Sequence, residues 1–529
     1  MKKLATITLL IILAAATTVA HAGAPAKGRT LLLADDHDVL YRSGTQRVAG
    51  IPTRHSEKAL IPSDKDWEML IGYTSVYRNP QTGKYQLWYQ AYAGGRGGDR
   101  KLKCVVCYAE SDDGITFTKP ELDLFPFKGG KSNIVLDSNA GTGDRYCASV
   151  IVEPNDPDPK RRYKMAHYDW SIMNGKDIPG VQVAFSPDGI HWTKHPGTLL
   201  ETPYGRYVQP PFSDEDPYVV IPKTEKKPEQ KRLNYPPPMM SDVIDVFRDP
   251  INNDYVINAK MWIDGPDGGG AWKNVVGQTR SKDFIHWSPA TILIPFGDDE
   301  PFAEFHGGAT FFHKGRYFAL LQKMDRRFDL QDDIELAVSA DSVKWERPFR
   351  DELFLRRSEK GKFDSQSIWS STPPVVLDDE IRFYYGAYNY APRDGIKVEA
   401  SEKSGIGMVR LPLDRFGGVK PVAKSDQITL VKRPLENIGQ VTFKPLDLTG
   451  VTSITINADA GKGSVAVELL SEDGYRVRGF SRDDAVPLKG DSLRHRVAWN
   501  GKDLSQLKPG RYMLRVHLNN ATLYASSFN

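Results

Sequence analysis

Cysteine is scarce in this sequence, and long apolar runs are lacking after its first residues. Only Cys104, Cys107 and Cys147 occur among 529 residues, too few for a scaffold that depends on many disulfides. The CVVC spacing resembles a redox motif, but the surrounding KLKCVVCYAE predicts a strand, in which positions i and i+3 lie on opposite faces. We interpret the cysteines as buried thiols, or as one disulfide that includes Cys147.

An excess of charge of either sign is also lacking. The chain has 70 Lys and Arg residues against 67 Asp and Glu residues, a formal net charge of +3. No run of Lys or Arg forms the basic patch of a nucleic-acid-binding protein. We therefore expect no nucleic-acid partner. The balance fits a carbohydrate that is neutral or carries scattered acidic groups.

The first 22 residues have the pattern of a signal peptide. Two lysines precede an apolar run from residue 4 to 19, and the run ends in AHA, the small-x-small sequence that a signal peptidase cuts. This pattern predicts cleavage before Gly23 and export to the periplasm or the exterior. The apolar run is shorter than the ~20 residues that span a bilayer, so we expect no transmembrane segment.

Short β-branched and aromatic runs separated by turn residues fill most of the chain. Five segments share the form of a short apolar strand, a polar turn and a longer aromatic-rich strand, and a third strand follows each. They are SVYRNPQTGKYQLWYQAY from Ser75, SVIVEPNDPDPKRRYKMAHYDW from Ser149, DVFRDPINNDYVINAKMW from Asp245, TFFHKGRYFALLQKM from Thr310 and PVVLDDEIRFYYGAYN from Pro374. Five such repeats predict an all-β fold, with a five-bladed β-propeller over residues 23–423.

Four of the third strands run into a turn of the form SxDxxxW or close to it. The turns are SDDGITF at Ser111, SPDGIHW at Ser186, SKDFIHW at Ser281 and SADSVKW at Ser339. A Ser and an Asp that bind the turn backbone above a packed aromatic ring are typical of the Asp-box-like turns of propeller proteins. We predict a structural role for these turns and assign them no chemistry.

The pattern changes after residue 423. The segment from Val441 and the later HRVAWN, YMLRVHL and TLYASSFN alternate apolar and polar residues, with Gly and Asp at turns. They predict a separate β-sandwich over residues 424–529. The N-terminal LLLADDHDVLYRSGTQRV predicts a strand that packs on the propeller before its first blade or closes it.

The order of these motifs resembles a group of exported bacterial five-bladed propeller proteins that are similar to invertase-type and arabinanase-type glycoside hydrolases and carry a C-terminal β-sandwich. The resemblance rests on SDVIDVFRDP, SKDFIHW, EFHGGATFFHKGRYF, FDSQSIWSSTPPVV and GIGMVRLPLDRFGGV, and on the final segment from VELLSEDGYRVRGF to LYASSF. It implies glycoside hydrolysis. In invertases and their relatives the Asp of an RDP tripeptide stabilises the sugar cation, but here Asp249 occupies the hairpin turn, so we predict a turn residue.

Glycoside hydrolysis needs a carboxylic acid and an opposing carboxylate. Inner strands of a propeller converge on one funnel, so we selected acidic residues that precede or begin these strands. We predict Asp242, Glu304 and Asp364 as catalytic residues. Asp245 is an alternative to Asp242, but the alternation of side chains along a strand points it towards the blade wall. We predict substrate contacts for Glu68, Asp144, His306, Trp67 and Trp369, and a stacking face on Tyr73.

In the expected mechanism Glu304 is the general acid, Asp242 is the base or nucleophile, and Asp364 orients water or sugar. No cofactor is required, although the architecture permits a calcium ion in the central channel. The DDHD sequence at 35–38 lacks the spacing of a calcium loop. Two alternatives stay open, a non-catalytic carbohydrate-binding propeller and a sialidase, which wants three inward arginines and usually six blades.

Overall fold

β-strands dominate the part of the chain that the computed structural model describes. This part comprises residues 25–92, 104–138, 146–173, 176–201, 218–221, 223, 230–233, 239–263, 273–294, 299, 302–327, 331–370, 373–390, 403–425 and 435–529. Within it, two short 3₁₀ helices span Pro159–Arg161 and Leu504–Gln506. The predicted signal peptide lies outside the described residues.

Five antiparallel sheets follow one another along the chain, each ordered from an inner to an outer strand. Their principal strands are Leu70–Arg78, Tyr85–Tyr92, Cys104–Ser111 and Ile134–Leu136 in blade 1; Tyr146–Val152, Tyr163–Met173, Lys176–Ser186 and Thr193–Lys194 in blade 2; Met239–Asp249, Asp254–Ile263, Lys273–Ser281 and Thr291–Ile294 in blade 3; Ala303–His313, Arg316–Asp325, Gln331–Ser339 and Trp345–Glu346 in blade 4; and Ser367–Trp369, Val375–Val376, Glu380–Tyr388 and Ser404–Pro412 in blade 5. Each predicted hairpin forms the first two strand positions of its blade.

The five blades close into a ring. Neighbouring blades contact each other in chain order, and blade 5 contacts the inner strand of blade 1. The N-terminal strands Thr53–Arg54 and Ile61–Pro62 pair with Ser404–Pro412, so residues from the start of the chain supply the outer edge of the last blade. Closure of this kind leaves few free strand edges. The predicted five-bladed propeller is confirmed.

The four Asp-box-like turns share one hydrogen-bond pattern. In each, the Ser hydroxyl lies 2.9 to 3.1 Å from the Asp carboxylate, which accepts two backbone N–H groups further along the turn. The residue after the Asp has a positive φ in all four, at Gly114, Gly189, Phe284 and Ser342. Side chains at two of these positions therefore adopt a conformation that normally favours glycine, and the Asp hydrogen bonds fix the turn.

Short polar side chains also join neighbouring inner strands. The Oγ of Ser75 in blade 1 accepts the backbone N–H of Val150 in blade 2 at 2.9 Å. The Oγ of Ser149 in blade 2 accepts the N–H of Val246 in blade 3 at 3.0 Å. Asp245 begins the same hairpin motif in blade 3, so a carboxyl group occupies the position that holds a hydroxyl in the first two blades.

The C-terminal strands form one hydrogen-bonded sheet with strands from elsewhere in the chain. Its ten strands are Thr30–Leu32, Val39–Ser43, Thr45–Ala49, Gly417–Pro421, Ile438–Phe443, Leu446–Asp447, Ile454–Ser471, Leu488–Arg496, Arg511–Asn519 and Thr522–Phe528. The N-terminal segment predicted to pack on the propeller or close it pairs with this sheet, and its Leu32 and Ala34 also pack against residues of blades 4 and 5. Alternation alone identified these residues as strands, but it does not specify their partners.

The long strand Ile454–Ser471 organises the ten-stranded sheet. Its first half pairs with Thr522–Phe528, and its second half pairs with Arg511–Asn519. Apolar side chains from both halves share one core. A second core joins the sheet to blades 4 and 5 through Leu32 and Ala525, which pack in the same cluster as Phe416. The division into two opposed sheets and the domain boundary at residue 424 stay predictions.

Candidate active site at blades 3 and 4

Two of the predicted catalytic residues lie in the first parts of neighbouring inner strands. Asp242 belongs to Met239–Asp249 of blade 3, and Glu304 belongs to Ala303–His313 of blade 4. Both are buried. Together with Lys260, His306 and Asp332 they form a group of charged and titratable side chains, which we call the acid cluster.

Lys260 connects Asp242 to His306. Its Nζ lies 2.5 Å from Oδ1 of Asp242 and 3.1 Å from Nε2 of His306. The lysine is itself buried, and a buried ammonium group needs such partners. Burial is the main cause that lowers the pKa of His306 well below its usual value, and the charges of Lys260 and Arg326 act in the same direction. His306 is therefore a neutral imidazole that accepts from Lys260 at Nε2.

Glu304 is held by donors from two blades. Asn274 of blade 3 donates its backbone N–H to Oε2 at 3.2 Å and its side-chain amide to Oε1 at 2.8 Å. The Nε of Arg326 in blade 4 lies 2.7 Å from Oε1. Donors from two blades therefore fix the position of the Glu304 carboxyl group. Its predicted role as the general acid stays a prediction.

Asp332 is the acid of this cluster whose pKa is raised by burial. Burial raises its pKa to about 7, the negative charge of Glu304 adds to the rise, and a hydrogen bond from Ser367 opposes it. The Ser367 hydroxyl donates to Oδ2 at 2.7 Å, while Oδ1 lies 4.0 Å from Nδ1 of His306. Oδ1 and Nδ1 have no hydrogen-bond partner in the described part of the chain.

Sequence reasoning missed Lys260 and Asp332 because it considered only residues in or just before inner strands. Met324 pairs with Glu304 on one side and with Asp332 on the other. Residues directly opposite each other in a sheet point to the same face, so this register brings Asp332 to the face of Glu304. A signal was available in QDDIELA, where two adjacent acids begin a strand. Because side chains alternate between the two faces of a sheet, one of these acids must lie on the same face as Glu304.

Asp364 does not contact the acid cluster. Its Oδ2 accepts from Nε of Arg54 at 2.8 Å and from the hydroxyl of Tyr385 at 3.0 Å. Arg54 comes from the N-terminal strand that pairs with blade 5. The contacts of Asp364 therefore join the start of the chain to the last blade, and its predicted role towards water or sugar stays untested.

Glu68 and Trp67 lie among structural partners of blade 1. Glu68 is buried, accepts the Tyr89 hydroxyl at 2.5 Å and lies 2.6 Å from Nζ of Lys119. The indole N–H of Trp67 donates to Oδ1 of Asn133 at 3.0 Å. These contacts satisfy both side chains within the blade and do not include the acid cluster.

Trp369 and Tyr73 stack on each other, with ring centroids 4.4 Å apart and an interplanar angle of 10°. Both are buried. A Cβ added to Gly72 would lie 2.2 Å from the Trp369 ring, so this glycine leaves room for the indole. The pair packs blade 1 against blade 5 and offers little open ring surface. Asp144 lies outside the described residues.

Asp249 is a turn residue, as the sequence predicted. It ends an inner strand, and its carboxylate accepts the backbone N–H groups of Ile251 and Asn252. Arg280 Nη1 lies 3.0 Å from Oδ2, and the Tyr317 hydroxyl of blade 4 donates to Oδ1 at 2.7 Å. The RDP tripeptide therefore caps a hairpin and links two blades.

Other features of the described residues bear on metals, thiols and membranes. In this part of the chain, no group of three or more His, Cys, Asp or Glu side chains is placed to hold a metal ion. Asp35 and Asp38 of the DDHD sequence pair with Arg316. Cys104 and Cys107 are buried cysteines, and the side chain of Cys147 lies outside the described residues. Within the same ranges, no helix has the length and apolar character to cross a membrane.

Comparisons with known proteins find structural neighbours only. No family model matches the chain, and no curated protein matches it. A solved glycoside hydrolase aligns with a TM-score of 0.46 and 16% identity, over 68% of this chain and 92% of the other. An N-acetylgalactosamine deacetylase from F. plautii, in complex with blood group B trisaccharide, aligns with a TM-score of 0.44 and 15% identity, over 70% and 96%. The Bombyx mori GH32 beta-fructofuranosidase aligns with a TM-score of 0.39 and 10% identity, over 90% and 94%. Likenesses at this level carry no argument about the reaction of this chain.

Proposed function

We propose that this protein hydrolyses a glycosidic bond in an oligo- or polysaccharide, with chemistry at the acid cluster of blades 3 and 4. The observation that carries the proposal is the contrast between the surroundings of the three carboxyl groups in one cluster. Asp242 and Glu304 are paired with cationic groups, whereas burial holds the pKa of Asp332 at about 7. Hydrolysis of a glycoside requires one carboxylic acid and one carboxylate, and environments that separate their pKa values define the two roles.

The roles follow from these environments. Asp332 is the proton donor because burial raises its pKa to about 7, so that a substantial fraction of it is protonated near neutral pH. Asp242 is the base or nucleophile, and Glu304 stabilises developing positive charge on the sugar while it keeps Asp332 protonated. His306 and Lys260 fix the position of Asp242. Export through a signal peptide, a carbohydrate substrate and a role in polysaccharide degradation are parts of the same proposal.

The test is a screen of the purified chain against polysaccharides and aryl glycosides, followed by variants on the best substrate. We expect Glu304→Gln and Asp242→Asn each to reduce kcat/KM at least about 100-fold, because carboxylate catalysis contributes factors of that size. Glu468→Gln is the matched control, since Glu468 is also buried and paired with an arginine, Arg515, but lies in the ten-stranded sheet. Its activity per folded molecule stays at the wild-type level.

A non-catalytic carbohydrate-binding propeller gives a different result in the same screen. It binds a glycan and releases no product, and Glu304→Gln changes at most the affinity. Binding without turnover of any substrate would therefore overturn the hydrolase proposal. If Glu304→Gln turned over an identified substrate at the wild-type rate, the catalytic residues would have to lie in another part of the chain. The ring has five blades, whereas a sialidase propeller usually has six, so the blade count does not favour the sialidase alternative.

A further inference from the structure

The acid cluster is negatively charged in its interior but bears arginines at its exposed edge. The side chains of Glu304 and Asp332 are each 1% exposed. The side chains of Arg326 and Arg327, which lie in the turn after the second strand of blade 4, are 46% and 48% exposed. A molecule that approaches from solvent therefore meets the Arg326 guanidinium before it meets Glu304 or Asp332. The Arg327 guanidinium is ion-paired with Asp325, whose side chain is 25% exposed.

Arg326 uses little of its hydrogen-bonding capacity among the residues that the structure describes. In the described part of the chain its one acidic partner is Glu304, whose Oε1 lies 2.7 Å from Nε of Arg326. Its backbone N–H donates to the carbonyl of Phe302, which places the residue beside the start of the inner strand. The guanidinium lies over the ring of Trp262, 5.6 Å from the ring centroid, an arrangement that holds a guanidinium plane in place.

Arg347, in the same blade, provides an internal comparison. Its side chain is 8% exposed, and its three nitrogens all contact carboxylate oxygens of Glu335 and Asp299 at 2.5 to 2.8 Å. Such saturation is what a purely structural buried arginine requires. Arg326 has one carboxylate partner and stands half-exposed, so its terminal nitrogens are placed to serve a ligand.

Aromatic surface lies beside both exposed arginines. Trp262 lies under Arg326, and the guanidinium of Arg327 is 5.5 Å from the ring centroid of Phe302, which is 50% exposed. Sugars commonly bind through an apolar ring face and polar edges, which aromatic rings and planar polar side chains complement. The edge of the acid cluster therefore combines surface for a sugar ring with donors for an anionic group.

We propose that the substrate is an anionic glycan, and that a carboxylate or sulfate group on the sugar binds the terminal nitrogens of Arg326, with Arg327 as a second contact. The inference rests on the proposed function for the location of the reaction, but it concerns binding and can be tested without turnover. The guanidinium fork matches a carboxylate or a sulfate in two parallel hydrogen bonds, which a lysine cannot reproduce.

The test is affinity electrophoresis of the full chain in gels that contain polygalacturonate, its fully methyl-esterified form, dextran sulfate or dextran. Each pair has one backbone with and without negative charge, and the two pairs separate a carboxylate from a sulfate. We expect at least one anionic polymer to retard the wild type more than its neutral counterpart does. Arg326→Gln and Arg326→Lys should weaken that binding about tenfold, the value of a charge-assisted hydrogen bond.

Arg78→Gln is the matched control, because Arg78 is an exposed arginine over an aromatic ring, Tyr85, at the hairpin turn of blade 1. It should bind like the wild type. Three results would overturn the inference: no binding to either anionic polymer, equal binding to charged and neutral forms, or equal losses in Arg78→Gln and Arg326→Gln. Hydrolysis of a neutral glycan that requires Glu304 but not Arg326 would contradict this inference and leave the proposed function intact. Charge-dependent binding through Arg326 without hydrolysis of any substrate would support this inference and contradict the proposed function.

Discussion

The Nδ1 of His306 lies 4.0 Å from Oδ1 of Asp332, and neither atom has a hydrogen-bond partner among the described residues. The two residues come from different strands of blade 4. A neutral imidazole and a carboxylic acid at this distance are one small movement from a hydrogen bond.

The pH dependence of turnover tests the role of Asp332. Its pKa is raised to about 7, so the proton required for leaving-group protonation is lost as the pH rises through that value. We expect kcat/KM to fall between pH 6 and 8. Asp332→Asn should lose most of the rate, and its residual activity should not show that fall. A wild-type profile that is flat over this range, or an unchanged limb in the variant, contradicts the assignment.

Asp245 should destabilise the propeller at neutral and alkaline pH. Burial raises its pKa to about 7, above the value near 4 of an unfolded Asp, so the folded state binds the proton more tightly. Stability therefore falls as the pH rises from about 4 to about 7 and stays low above it. Asp245→Ser, which copies Ser75 and Ser149, should be more stable than the wild type at pH 8 by up to about 4 kcal/mol.

Denaturant unfolding at pH 8 and pH 5 measures the Asp245 effect, and Asp245→Asn controls for the smaller volume of serine. The advantage of both variants should shrink as the pH is lowered. An advantage that is constant with pH would show that the carboxyl charge is not its cause.

Asp249→Asn should destabilise the protein without changing turnover. Burial alone would raise the pKa of Asp249, but hydrogen bonds from Asn252, Tyr317 and Arg280 outweigh it and lower the pKa to about 2. The carboxylate therefore contributes its full stability above about pH 4, and the contribution is lost as the pH falls through 2. We expect a loss of about 3 kcal/mol at pH 7, the cost of breaking a buried ion pair.

Activity of the folded Asp249→Asn protein separates the two interpretations of the RDP tripeptide. If Asp249 stabilised a sugar cation, kcat would collapse at temperatures where the variant is fully folded. Normal kcat together with a lowered melting temperature agrees with the turn that the structure describes.

Asp364 and Arg54 should act together in ring closure. Their ion pair of 2.8 Å joins the N-terminal strand to the segment before the inner strand of blade 5. We expect Asp364→Asn and Arg54→Gln each to cost about 3 kcal/mol, and the double variant to cost little more than either single one. Asp112→Asn removes an exposed carboxylate 3.8 Å from Lys84 and should cost below about 1 kcal/mol. Loss of kcat at unchanged stability in Asp364→Asn would restore the catalytic role that the sequence predicted.

Much of this molecule follows from local patterns. Hairpin turns and period-two alternation identified the blades, because each blade is built from strands that are adjacent in the chain. The Asp-box-like turns were identifiable because their hydrogen bonds lie within a few residues. The same locality placed Asp249 in a turn, despite a tripeptide that has a different role in invertases.

The sequence by itself therefore determined the ring of five blades and the candidates Asp242, Glu304 and His306. Only the tertiary structure decided that Asp332 and Lys260 join them, that Asp364 pairs with Arg54, and that the N-terminal strands pair with the C-terminal sheet. The physical reason is that strand register and burial set which side chains meet and which carboxyl keeps its proton. Both depend on residues far apart in the chain, which no local pattern encodes.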